Sequence, residues 1–102
     1  MALIDEVRFA LTRIDSSIST ALDTEIQRYI DSAILDLTET TDIIAFTADN
    51  ADAFQKDAII TYALYSFEKD PTRKDKYKIA YDDIKTKMSM SSKYSTLGAL
   101  ED

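Results

Sequence analysis

The side chains that most often carry out chemistry are missing from this chain. It has no Cys and no His. Disulfides, thiolate or imidazole metal sites, and every Ser-His, Cys-His or His-based acid–base arrangement are therefore excluded. Carboxylates, lysines and tyrosines remain, but their spacing does not gather them. Asp82 and Asp83 are neighbours on a helical stretch and point about 100° apart, so they cannot act as a paired acid and base. Asp49-Asn50-Ala51-Asp52 has the outline of a calcium loop, yet it lacks the turn glycine and the distal Glu. The one glycine is Gly98, so no Gly-rich phosphate loop can form. Lys85 and Lys87 carry the right charge for phosphates, but a net charge of −7 makes a poor general nucleic-acid binder. The expectation is a non-enzyme, without cofactor or metal, that works by binding other protein surfaces.

Such surfaces need a scaffold, and 102 residues suit a single domain. Apolar residues make up 45% of the chain, and there is one Gly and one Pro. That is enough to build a core but too few tight-turn residues for an all-β fold. The expected fold is all-α, a single bundle of about four helices over residues 1–88 with a flexible C-terminal tail over 89–102. No apolar run approaches a membrane span, and the acidic start MALIDEVRF does not read as a secretory signal. The protein is expected in the cytosol or in a particle assembled there, with no membrane partner.

Helical spacing marks the elements. Leu3, Val7, Ala10 and Leu11 define a first helix over 3–13, ended by Asp15-Ser16-Ser17, whose side chains compete for backbone hydrogen bonds. Leu22, Ile26, Tyr29, Ile30, Ala33, Ile34 and Leu37 define a second over 20–39, with Thr20 and Asp23 as its capping pair. A third over 50–68 carries Phe54, Ala58, Ile59, Tyr62, Ala63, Tyr65 and Phe67 around a wide arc and should be central; Asp49 and Asp52 are its expected caps. Asp70-Pro71 opens a fourth over 72–89, with Tyr77, Ala80, Tyr81, Ile84 and Met88 as its apolar stripe. Ile43, Ile44 and Phe46 sit in a polar loop, where they either fold back to close the core or project as a docking loop. Tyr94, Leu97 and Leu100 are read either as anchors that order on binding a partner or as incidental apolar residues in a loose tail.

Charge is unevenly spread. Residues 1–50 hold ten acids and three bases, while 69–93 hold eight bases and four acids. Two complementary surfaces follow, used within one molecule or between copies.

The order of elements resembles the small head-to-tail connector (adaptor) proteins of tailed bacteriophages. The likeness rests on Leu11-Thr12-Arg13-Ile14-Asp15, a polar break, Asp23-Thr24-Glu25-Ile26-Gln27-Arg28-Tyr29-Ile30-Asp31-Ser32-Ala33, a loop, Lys56-Asp57-Ala58-Ile59-Ile60-Thr61-Tyr62-Ala63-Leu64-Tyr65, and a last helix rich in Tyr and Lys. It covers roughly residues 3–88 and is a pattern of helix lengths and apolar positions rather than a signature motif. It implies a structural role in the virion's connector region: a ring of about a dozen copies beneath the portal protein, extending the channel through which DNA passes without specific binding, and docking the stopper or next neck protein. The free protein's oligomeric state stays open. On this view Glu25, Asp31 and Asp36 on one face and Arg73, Lys76 and Lys85 on another are the subunit contacts, while Ile43, Ile44, Phe46, Tyr94, Leu97 and Leu100 dock partners. Two alternatives are a small acidic DNA mimic that inhibits a DNA-processing enzyme, which the basic fourth helix opposes, and a helix-turn-helix regulator, which the net charge opposes.

Overall fold

A computed structural model describes residues 2–39, 43–91 and 93–95. It contains four α-helices: α1 (Leu3–Leu11), α2 (Asp23–Glu39), α3 (Ala53–Phe67) and α4 (Pro71–Ser89). The all-α expectation holds, and among the described residues there are no strands, only one isolated β-bridge.

Local chemistry explains where each helix begins and ends. After α1, both the backbone N–H and the hydroxyl of Ser17 donate to Asp15 Oδ1, at 2.9 and 2.6 Å, which holds that carboxyl below its usual range. The second helix is entered through a 3₁₀ turn, Thr20–Leu22, capped by Ser19 rather than by the Thr20–Asp23 pair. The third starts three residues later than its pattern suggests. Its cap is Asp52 in a reciprocal box with Gln55: Gln55 N–H donates to Asp52 Oδ1 at 3.0 Å, and Asp52 N–H donates to Gln55 Oε1 at 2.9 Å. Asp49 takes no part in it, because the capping box needs its partner three residues inside the helix. The would-be calcium loop is thus a helix entry, with Asn50 Oδ1 accepting from Thr47 N–H at 2.8 Å. The fourth helix is capped by Asp70, with Pro71 at its first position, one residue earlier than expected.

The core follows the predicted stripes. Val7, Leu11, Ile26, Ile30, Ala33, Leu37, Ala58, Ile59, Ala63 and Met88 are fully buried. The central position of α3 is confirmed: it packs against α1, α2 and α4, and α1 also leans on α2. Ala80 departs from its stripe and is exposed, while Tyr81 and Met88 carry the contact of α4 with the core. Two ion-pair staples hold α1. Arg8 Nε and Nη2 grip Asp23 at 2.8 and 2.7 Å while Nη1 takes Asp5 at 2.8 Å, and Lys56 reaches Glu6 at 3.4 Å. No described helix is long and apolar enough to cross a membrane.

The two open segments take a definite form. Ile43 and Phe46 fold back and are buried in the core, whereas Ile44 stays exposed. The start of the expected tail also packs on the body. Ile43 pairs with Ser95 in an antiparallel bridge, Ile44 N–H donates to Tyr94 O at 2.8 Å, and Ser95 is fully buried. Leu97 and Leu100 lie outside the described residues.

Candidate interaction surfaces

The expected contact residues fall into two groups, those paired within the chain and those left facing outward. Asp36 and Lys85 belong to the first. Lys85 Nζ lies 3.1 Å from Asp36 Oδ2, and the Tyr81 hydroxyl donates to the same oxygen at 2.6 Å. Burial pushes the Asp36 carboxyl up, but the Tyr81 and Lys85 bonds outweigh it and hold the group below its ordinary value. This acid–base pair therefore joins α2 to α4 inside one molecule. Asp36 and Lys85, expected as contacts between copies, thus already hold a close partner of opposite charge within the chain.

Glu25 and Asp31 remain exposed on α2. Glu25 accepts from Tyr29 Oη at 2.8 Å, and the Tyr29 hydroxyl is pushed up to about 12, by burial first and by this bond second. Asp31 accepts from Gln27 Nε2 at 3.0 Å. On α4, Arg73 and Lys76 are exposed, and among the described residues neither has a carboxylate within ion-pair distance. Lys78 and Lys87 are neutralised along their own helix by Asp82 and Asp83, at 3.1 and 2.9 Å. Among the expected contact residues, the outward charges thus reduce to Glu25 and Asp31 on α2 and Arg73 and Lys76 on α4.

Ile43 and Phe46 are not docking groups in this conformation, because both are core residues. Tyr94 anchors within the chain instead. Its ring lies 5.3 Å from that of Phe54, and its hydroxyl donates to Asp52 Oδ2 at 2.7 Å, so the α3 cap also ties down the segment after α4. Asp52 is held below its usual value, first by the Gln55 backbone N–H and further by Tyr94 and Lys93, against the upward push of burial.

No protein-family model, curated protein or solved structure matches this chain. The surfaces must be read on their own chemistry.

Four residues gave little warning of their setting. Phe9 is 72% exposed on α1, and Leu35 and Ile79 stand outward on α2 and α4. All three sit off their helix's apolar stripe, and that offset was the available signal. Phe9 borders a cleft of about 410 Å³ with Ala10, Ile60 and Leu64 between α1 and α3. Leu35 borders one of about 320 Å³ with Ile34, Phe46 and Ala48. The fourth is Glu68, a carboxylate only 5% exposed at the end of α3, which no periodicity marks. Its Oε1 accepts from the N–H groups of Lys69 and Asp70, both at 3.0 Å, and so bridges the turn from α3 into α4. A cleft of about 530 Å³ lies over this turn.

Proposed function

We propose that the protein is a structural head-to-tail connector of a tailed bacteriophage. It forms a ring under the portal protein, extends the DNA channel, and docks the next neck protein, with no catalytic step. The observation that carries the reading is the pairing of opposite, outward charges on two helices of one compact body. Glu25 and Asp31 project from α2, and Arg73 and Lys76 from α4. Head-to-tail assembly uses two different patches on each copy, and complementary charge sets their register. The exposed Leu35, one turn from Asp31, and Ile79, one turn from Lys76, supply apolar area beside these charges, as association requires.

The test is to sediment a lysate of producing cells on a density gradient and locate this chain by mass spectrometry. Co-migration with DNA-filled heads and portal protein is expected, and the double reversal of Arg73 and Lys76 to Glu should remove it from those fractions while leaving the free protein folded. Migration in a small complex with a DNA-processing enzyme would overturn the reading in favour of an acidic inhibitor.

A further inference from the structure

We propose that the cleft over Glu68 receives the arginine side chain of a partner protein. The starting point is an imbalance within one carboxylate. Glu68 Oε1 is satisfied by two backbone N–H groups. Its Oε2 is shut off from water, and no donor among the described residues reaches it. Buried carboxylate oxygens are ordinarily paired, because a lone one loses its hydration and gains nothing in return. The nearby lysines do not supply the missing donor. Lys74 Nζ is turned to backbone carbonyls, 2.8 Å from Tyr65 O and 3.3 Å from Glu68 O, and lies 4.6 Å from the centre of the Tyr65 ring. Lys69 is exposed and makes no ion pair with Glu68.

The surrounding lining selects the ligand. Leu22, Glu25, Tyr29, Ser66, Phe67 and Lys69 share the cleft of about 530 Å³ with Glu68 and Lys74, a size typical of ligand pockets. Phe67, Glu68 and Lys69 also border a second cleft of about 240 Å³ that reaches Ile14 and Asp15, so Glu68 stands in the wall between two hollows. Of the two lysines that line the cleft, Lys74 is held by backbone carbonyls and Lys69 is exposed, so an anion would meet Glu68 and Glu25. A guanidinium suits the site for three reasons. Its planar fork can offer a carboxylate several donors, whereas an ammonium is a point charge. Its weak hydration tolerates partial burial, and its face stacks on aromatic rings such as Tyr29 and Phe67. Its aliphatic stem can lie along Leu22. Entry requires the cleft to open over Oε2, and the charge-assisted bond formed there drives the opening. This recognition does not depend on the connector reading, because any protein presenting an exposed arginine satisfies it.

The probe is N-acetyl-arginine amide, titrated into the ¹⁵N-labelled protein, with N-acetyl-citrulline amide as its neutral isostere. Saturable shifts are expected at the amides of Ser66, Lys69 and Asp70 with arginine and not with citrulline. Glu68→Gln keeps an Oε1 acceptor for the turn and should weaken binding about tenfold, the loss of one charge-assisted contact. Glu25→Gln, on an exposed residue that cannot endanger the fold, should weaken it by a smaller but measurable factor. The proposal is overturned if the wild-type shifts do not saturate, if citrulline or N-acetyl-lysine amide binds as tightly as arginine, or if both variants bind as the wild type does.

Discussion

Replacing Tyr81 with Phe removes a single oxygen from the junction of α2 and α4. The ring stays, packed edge-on to Tyr62 with centroids 5.2 Å apart, so the substitution isolates the 2.6 Å bond from the hydroxyl to Asp36. Burial and this bond together push the Tyr81 hydroxyl well above the usual tyrosine range. It therefore acts as a donor at every ordinary pH. A hydrogen bond to a charged group contributes about 1.5–3 kcal/mol. Here that figure must be reduced, because the Asp36 side chain is 43% exposed and keeps Lys85 at 3.1 Å, so water and the ammonium recover part of the loss. The expected cost is about 1 kcal/mol, which corresponds to roughly 4–8 °C in Tm for a domain of this size. Thermal unfolding followed by far-ultraviolet circular dichroism measures it. The pH dependence supplies a second check. Asp36 is held below its ordinary value in the fold, so its contribution is present above the unfolded carboxylate value of about 3.9 and is lost as pH falls through the folded value. The gap between wild type and variant should be full at pH 7 and at pH 5, and should narrow below about pH 4. An unchanged Tm at pH 7, or a gap as wide at pH 3 as at pH 7, would refute the junction's role.

Two further outcomes are expected. Tyr94→Ala removes both the ring against Phe54 and the bond to Asp52, so the Ile44 amide, which donates to Tyr94 O, should exchange with solvent at least about tenfold faster while the helices stay folded; unchanged exchange would mean that the segment is held by something else. Ile59→Ala, in the middle of α3 and fully buried, should cost about 2–5 kcal/mol in urea denaturation, against less than about 0.5 kcal/mol for Leu35→Ala on the exposed side of α2.

Four helices, their buried faces and the central place of α3 were legible from the sequence, because 3.6-residue periodicity reports burial wherever a helix has one apolar side. Boundaries were less legible where several capping residues compete. Ser19, Thr20 and Asp23 can all cap, as can Asp49, Asn50 and Asp52, and the choice depends on which backbone N–H the folded chain leaves open. Ile43, Phe46 and Tyr94 were harder still. Their types suit a docking segment or a core lid equally well, and the decision rests on a contact between residues about fifty positions apart. Charge was legible as a total but not as a surface. Lys85 and Asp36 lie far apart in sequence yet cancel each other in the fold, while Arg73 and Lys76, of the same type on the same helix, are left unmatched. Glu68 gave no signal at all, since only the turn into α4 turns an ordinary glutamate into a buried one with a lone oxygen.

The central helix has a consequence for how the protein comes apart. α1, α2 and α4 all rest on α3, and the residue that caps α3, Asp52, also holds Tyr94. No described helix can leave without uncovering α3, and α3 cannot fray at its start without releasing the segment behind α4. The body therefore has a single cooperative melting unit rather than a stable half and a loose half. Amides in all four helices should then share one global opening free energy. A protein built this way presents its partners with a nearly fixed set of faces, and adjustment on binding falls to exposed side chains such as Phe9, Lys69 and Ile79 and to local openings such as the one over Glu68.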